Sequence, residues 1–336
     1  MMLEPIYGRD FSEGSYGFRP GRGAHQALGR LWKETMNTGG GWVLEVDISK
    51  FFDTLDHGHL RQLVQHRVRD GVLLRLIGKW LNAGVMEAGE VSHPDAGSPQ
   101  GGVISPPLSA IEWVANIYLH YVLDEWFERE VQPRMAGRAY LIRYADDFVI
   151  GFANEEDARR VQDVLPKRFG KYGLTIHPGK TRLVRFKKPS DRKSPTGEPE
   201  RSEPPESFDL LGFTHYWGRS RKGIWVVKRK TSSKRPSRGL RAINQRCRAN
   251  LHRPLVEQQQ ALGRKLRGHC AYYGITGNSK CLSAFRLWVT RIWRRWLSRR
   301  NRERGMTWDR FNQLLDRYPL PPALAIHSDC RPAAKP

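Results

Sequence analysis

Cysteine, long apolar runs and, toward the C-terminus, acidic residues are all scarce in this chain. Its four cysteines (Cys247, Cys270, Cys281 and Cys330) stand far apart among 336 residues, without a C-x-x-C pair. That spacing argues against a zinc ribbon or a zinc-stabilised nuclease module and leaves buried free thiols as the reading. No apolar run approaches the roughly 20 residues of a membrane-spanning helix. The opening MMLEPIYGRDFSEG lacks the basic, apolar and small-residue segments of a signal peptide. A cytoplasmic protein is therefore expected. Between Arg219 and Arg310, three acids (Glu257, Glu303 and Asp309) stand against 26 lysines and arginines. Solvated faces ordinarily mix both signs. One-signed density in a chain of net charge +23 points to a phosphate backbone, where each neutralised phosphate releases counterion. A basic membrane-surface segment fits less well, because the same stretch holds a β-like run and several separate helical patterns.

The length predicts two domains, each large enough for its own core. Tyr16–Gly23 reads as a Gly/Pro loop, followed by a helix from Ala24 to about Met36 that Gly39-Gly40-Gly41 ends. A strand comes next, with Leu44, Val46 and Ile48 on one face and Glu45 and Asp47 on the other, so one face is expected to be packed and the other polar. Helices are expected over His57–Arg67 and Val72–Ala83. Two β-prone runs, Tyr140–Ala145 and Phe148–Phe152, meet at Asp146-Asp147 as a hairpin. A helix over Glu155–Lys171, kinked at Pro166, and a strand near Thr181–Phe186 follow. Lys188–Ser207 carries five prolines and reads as a linker or insertion. Phe208–Trp217 resumes the β pattern, and Ile224–Lys228 is its expected partner. Beyond Lys234 the pattern is helical, with Leu282, Phe285, Val289, Ile292, Trp293 and Trp296 on one face. Trp288, Trp293 and Trp296 are expected in a helix-bundle core. The element order predicts an α+β fold built on a split β-α-β antiparallel sheet.

Asp47 and Asp146 fall at the ends of apolar runs expected on adjacent strands. Phosphodiester formation requires an activated nucleophile and a neutralised pyrophosphate, which two Mg²⁺ ions about 4 Å apart supply. Mg²⁺ takes hard oxygen ligands and keeps waters, so a few carboxylates and substrate phosphates suffice. Successive strand residues face opposite ways, so Asp147 is expected on the turn or in a peripheral role. Read alone, Asp-Asp is also ordinary hairpin-turn chemistry. Asp53, in F-F-D, reads as a helix-cap or packing residue.

Several segments stand in a fixed order: Y-G-F-R-P-G-R-G-A-H-Q-A-L (16–28), D-I-S-K-F-F-D (47–53), G-S-P-Q-G-G-V-I-S-P (97–106), Y-A-D-D (144–147), G-L-T-I-H-P-G-K-T (173–181) and F-D-L-L-G-F-T-H-Y-W (208–217). As an ordered set they are specific. The chain resembles a reverse transcriptase of the group II intron maturase type, to about His327. The resemblance implies a right-hand polymerase palm with partial fingers over 1–187, a linker or insertion at 188–207 and the end of the polymerase domain at 208–234. A helical thumb or maturase domain (235–328) and a tail (329–336) would follow. It implies a catalytic triad of Asp47, Asp146 and Asp147, with the Ile48 carbonyl as a further metal ligand and two Mg²⁺ ions, for which Mn²⁺ can substitute. It matches Phe52 to an aromatic steric gate against the ribose 2′-hydroxyl; core packing is the other reading, although Phe51 suits that better. Gln100 and Gly101 match the loop at the nascent base pair, and Lys180 the lysine near the leaving pyrophosphate. Arg19 and Arg22 are either template contacts or solvated loop residues.

The implied activity is RNA-directed DNA synthesis with intron RNA as template, primer DNA and dNTPs, accompanied by maturase help in splicing. The alternatives are an RNA-binding splicing cofactor with weak catalysis, and a reverse transcriptase outside introns. Two departures from the family pattern stand out. The basic fingers segment expected before Y-G-F-R-P is largely missing, and about six extra residues lie around Pro107–Val114, roughly 1.7 helical turns. No DNA-endonuclease segment is expected after residue 327.

Overall fold

Three glycines in a row set the entry to the central sheet. The structure, a computed structural model, describes residues 4–81, 85–87, 90–92, 105–189, 205–300 and 305–327. Helix α1 (Ala24–Thr38) ends where the Gly39 and Gly40 N–H groups donate back to the Met36 and Thr35 carbonyls. Gly39 has φ 67°, the left-handed conformation that a side chain disfavours, and this double bond is a Schellman closure. The chain then enters β1 (Trp42–Val46), whose aromatic and β-branched residues suit a pleated surface.

Further along the chain, α2 (His57–Gln65) and α3 (Gly71–Leu81) precede a long helix, α4 (Ser105–Leu119). The hairpin β2 (Ala139–Tyr144) and β3 (Asp147–Phe152), helix α5 (Glu155–Gly170) and strand β4 (Arg182–Arg185) complete the central layers. The sheet order is β2-β3-β1-β4, antiparallel throughout, with Leu44 opposite Ile150 and Leu183, and Val46 opposite Phe148. Leu44, Val46, Ile48, Phe148, Ile150 and Phe152 pack in one core with residues of α2, α3, α4 and α5.

The opposite face differs from the polar one expected from the alternation. Val43, Ile142, Val149 and Val184 are all buried on it, where α1 packs on β2 and strand β5 (Phe208–Leu210) lies near β1 and β3. The charged residues on that face are Glu45, paired with Arg182 at 2.9 Å, and Asp47 beyond Val46.

The residues around Pro107–Val114 do not loop out: they lie within helix α4, which runs on into two π-helical stretches, His120–Asp124 and Phe127–Val131. Helix α5 likewise continues through Pro166. The cap of α2 is Asp56, whose Oδ1 accepts from the His59 N–H at 2.6 Å. Asp53, expected as a cap, instead closes a short 3₁₀ turn, Phe51–Asp53, and is exposed.

The chain divides into two compact units, Met1–Leu211 with Tyr216–Val227, and Gly212–His215 with Lys228–Pro336. The β run expected over Phe208–Trp217 breaks at Leu211-Gly212 into β5 and β6 (Phe213–Arg219), and β6 pairs with β7 (Trp225–Thr231). The second unit is mainly helical: α6 (Lys234–Ala249), α7 (Leu255–Tyr273), α8 (Ser279–Arg300) and α9 (Trp308–Arg317). Its core gathers Ile243, Leu262, Leu266, Phe285, Val289, Trp293 and Phe311. The Trp293 indole is wholly buried and donates to Gln258 Oε1 at 3.1 Å. Trp296 is partly buried, whereas Trp288, expected in the core, is 50% exposed with the Arg291 guanidinium 5.1 Å from its ring. Cys247 and Cys270 are buried free thiols, and Cys281 is partly buried and also free.

Candidate active site

Asp47 is the first residue beyond β1, and its backbone is fixed from a neighbouring segment. Its carbonyl accepts from the His177 N–H at 2.8 Å, and the Ser49 N–H donates to the Thr175 carbonyl at 2.8 Å. These two bonds frame an antiparallel bridge between Ile48 and Ile176. In such a pair the central residues make no bond to each other, so the Ile48 carbonyl faces away from the Thr175–His177 segment. The His177 carbonyl also accepts from the Lys180 and Thr181 N–H groups at 3.2 and 3.0 Å, folding H-P-G-K into a tight turn. That turn brings Lys180 Nζ to 2.8 Å from Asp47 Oδ2.

Asp146 arrives from the hairpin. Tyr144 pairs with Asp147 in the ladder, so the two-residue turn is Ala145-Asp146, not the expected Asp146-Asp147. Asp147 is the first, exposed residue of β3. The difference of one residue follows from Ala145, which takes the left-handed turn conformation at φ 56°. Asp146 is half-buried and close enough to Asp47 for the two carboxylates to interact. Burial first, and then the Asp47 charge, hold its carboxyl above the usual carboxylate range.

The turn is held on two sides. On the inner side, Arg143 is completely buried, and all its donors are used. Nε and Nη2 bind Asp124 Oδ1 and Oδ2 at 2.8 and 2.6 Å, Nη2 also binds Ser15 Oγ at 2.8 Å, and Nη1 binds Asn116 Oδ1 at 2.9 Å and the Ala145 carbonyl at 3.0 Å. On the other side lies the N-terminal segment. The Tyr16 N–H donates to the Arg143 carbonyl and the Arg143 N–H to the Gly14 carbonyl, both at 2.9 Å. Gly17 packs so closely that a Cβ there would lie 2.3 Å from the Ala145 nitrogen, so this position admits no side chain. Sequence reasoning missed Arg143, Asp124, Asn116 and Ser15. The one available signal was a charged residue, Arg143, within an otherwise apolar strand pattern.

The remaining expected residues divide. Phe51 is in the core, while Phe52 is half-exposed at its edge, with ring centroids 5.1 Å apart. Arg19 is half-buried in its loop rather than fully solvated. It donates to the Ser12, Ser15 and Gly8 carbonyls at 2.7, 2.9 and 3.2 Å, and so ties the N-terminal loop together. Arg22 pairs with Glu13 at 2.9 Å. Gln100 and Gly101 lie outside the described residues.

Asp47 and Asp146 are hard-oxygen donors of the kind a Mg²⁺ ion takes in ones and twos alongside substrate phosphates. The Lys180 ammonium balances Asp47 at Oδ2, while burial and the Asp47 charge leave the Asp146 carboxyl raised, and no cationic side chain among the described residues is bonded to it. Among the described residues, no three His, Cys, Asp or Glu side chains lie together as a metal-holding group. The fit is therefore that of a two-carboxylate platform completed by substrate oxygens, not of an all-protein cage.

Residues 1–215 match the family model described as reverse transcriptase (RNA-dependent DNA polymerase). The chain belongs to the reverse transcriptase family. Within it, the similarity runs to group II intron-encoded proteins. The chain is 40% identical to the group II intron-encoded protein LtrA of Lactococcus lactis subsp. cremoris over 142 residues, which cover 40% of this chain and 22% of LtrA. It is 35% identical to protein YkfC of Escherichia coli K12 over 174 residues, 45% of each chain. The match thus spans less than half the length of either relative. Among solved structures, apo telomerase from Candida tropicalis, truncated from its C-terminal domain, aligns with TM-score 0.44 at 15% identity, covering 68% of this chain and 42% of that one.

Proposed function

We propose that this chain is an RNA-directed DNA polymerase of the group II intron type, with its reaction centred on Asp47 and Asp146. The observation that carries the reading is the meeting of these two carboxylates at one end of an antiparallel sheet, where burial and then the Asp47 charge hold the Asp146 carboxyl above its ordinary range. The sheet is the palm in this reading, and the first unit carries palm and partial fingers. Divalent cations, two Mg²⁺ in this proposal, would lower the cost of the developing negative charge. The primer 3′-oxygen bonds to the dNTP α-phosphorus as the bond to the β-phosphate bridging oxygen breaks, releasing pyrophosphate, and the hydroxyl proton passes to solvent. Asp47 and Asp146 hold the cationic region in place and Asp147 supports it from the strand. In this reading Lys180, on its exposed turn, meets the triphosphate, and the partly buried Phe52 ring crowds a ribose 2′-hydroxyl. Gln100 and Gly101 are assigned to the nascent base pair by resemblance alone.

A maturase role is proposed for the second unit, where Lys228–Arg310 carries 23 lysines and arginines against three acids. Arginine-rich helices suit an RNA or RNA–DNA duplex recognised through its backbone and shape. Primer extension on an RNA template tests the polymerase. Template-dependent dNTP addition by the wild type and its loss in Asp146→Ala are expected. Tight binding of intron RNA with no extension by either protein would instead establish an RNA-binding splicing cofactor.

A further inference from the structure

The Arg143 guanidinium spends all five of its N–H donors, the full complement of that group, in a site with no access to solvent. A buried ion pair of this kind adds little stability over well-packed apolar side chains of similar volume. What apolar packing would not provide is a fixed donor aimed at the Ala145 carbonyl. Ala145 holds a backbone conformation that L-residues with a Cβ disfavour, and such a residue persists only where its surroundings dictate it. Two separate contacts do so here. Arg143 Nη1 holds the carbonyl from within, and Gly17 abuts the Ala145 nitrogen from outside. Asn116 joins the two, accepting from Arg143 and donating to the Gly17 carbonyl at 2.5 Å.

We propose that Arg143 is a positioning residue: clamped by Asp124, Asn116 and Ser15, it fixes the Ala145-Asp146 turn and so sets where the Asp146 carboxylate stands relative to Asp47. This rests on the polymerase reading above. It assigns the buried network a role in the reaction beyond holding α4 to the sheet. Lysine cannot replace it, because a tetrahedral ammonium with three donors cannot meet five partners lying in the plane of a fork.

The test is a pair of variants in the full chain. Arg143→Met with Asp124→Leu replaces the buried pair by apolar volume and leaves no uncompensated charge. Gly17→Ala pushes on the turn from the opposite side and leaves the pair intact. Each is measured by thermal melting, by affinity for a DNA primer annealed to an RNA template, by kcat and KM for dNTP, and by Mn²⁺ titration of the nucleotide-free protein followed by electron paramagnetic resonance. The expected result is a cooperative melt and unchanged primer–template affinity, with kcat lowered on the order of tenfold to a hundredfold, as for a displaced reacting group, and weakened Mn²⁺ binding. A folded double variant with wild-type kcat and Mn²⁺ affinity would overturn the proposal. Should that variant fail to melt cooperatively, Gly17→Ala decides by the same criteria. Asp146→Ala separates the two levels of inference. Undiminished extension by Asp146→Ala would remove the polymerase reading and this proposal with it, whereas loss in Asp146→Ala alone would leave the reading standing and sink only the positioning role. If the wild type binds Mn²⁺ but does not extend, the Mn²⁺ titration decides.

Discussion

The buried histidine of the F-T-H-Y-W segment makes the stability of this protein pH-dependent. His215 lies on β6 with no solvent exposure. Burial, and secondarily the Arg229 charge, push its pKa from 6.5 down to about 3. A histidine shifted this way takes its proton only in the unfolded chain. Stability is therefore fully present above pH 6.5, falls as the pH drops through that value, and goes on falling until about pH 3. At 1.36 kcal/mol per pH unit, the group costs about 2 kcal/mol between pH 7 and pH 5 and about 3 kcal/mol by pH 4. Against a typical total of roughly 5–15 kcal/mol, that loss is large. Urea unfolding followed by tryptophan fluorescence, for wild type and His215→Gln at several pH values from 4 to 7, measures it. Burial also lowers the pKa values of His269, to about 4, and of His120. Both contribute equally to the two proteins, so the difference between the curves isolates His215. The wild type should lose ground relative to the variant as the pH falls, by the amounts above. Parallel curves, or a His215 ring-proton resonance that titrates near 6.5, would refute the reasoning.

Three further outcomes are expected. Phe52→Ala should raise the use of rNTP relative to dNTP in primer extension, because in the proposed reading this ring is the bulk that meets a 2′-hydroxyl; an unchanged ratio removes the steric-gate assignment. Lys180→Ala should change the urea midpoint by the equivalent of less than about 1 kcal/mol, since exposed ion pairs contribute little, while raising KM for dNTP; an unaltered KM would place Lys180 away from the triphosphate. Trp293→Ala should destabilise the second unit by about 3–5 kcal/mol, the usual cost of emptying a large buried aromatic site, visible as a lower melting transition by circular dichroism.

Strand positions were legible because their cause is local. A period of two in W-V-L-E-V-D-I and in the hairpin needs no knowledge of partners. What covers the far face of β1 was not legible, because Val43 reads as an out-of-phase residue until α1 and Phe208–Leu210 are brought over it. The turn register failed for a similar reason. Asp146-Asp147 has the chemistry of a turn, yet the pairing of Tyr144 with Asp147 puts an alanine in the left-handed position, a choice that contacts from Gly17 and Arg143 impose. Asp53 and Asp56 both stand before a helix, and only the 3₁₀ turn that takes up Asp53 decides which one caps it. Trp288 flanks the apolar stripe of α8 and was assigned inward on hydrophobicity, although its neighbour Arg291 offers a ring contact at the surface. The Arg143 network was the least legible of all. Its partners Ser15, Asn116 and Asp124 lie 128, 27 and 19 residues away in sequence, so in isolation Arg143 is one more cation in a basic chain.

Backbone strain gives these pieces a common logic. Among the described residues, four non-glycine positions have positive φ: Phe18, Lys50, Ala145 and Leu211. Three of them lie in the segments that build the candidate site. Each costs on the order of 1–3 kcal/mol and survives only where its surroundings over-determine it. For Lys50, the surroundings are the Asp53 and Thr54 N–H groups and the Thr54 hydroxyl, all converging on its carbonyl at 2.8 to 3.1 Å. That turn redirects the chain three residues after Asp47 and sets Phe51 inward and Phe52 outward. For Ala145 the surroundings are Arg143 and Gly17. Phe18 follows that same Gly17, with its ring 6.4 Å from that of Tyr144. Phe18 and Ala145 are thus set by one shared contact between the Gly17 and Tyr144 segments, while Lys50 is set by its own turn on the Asp47 side. On this view Y-G-F-R-P is present less to touch nucleic acid than to brace the Y-A-D-D turn. Substitutions at Gly17 should then disturb Asp146 more than they disturb template binding.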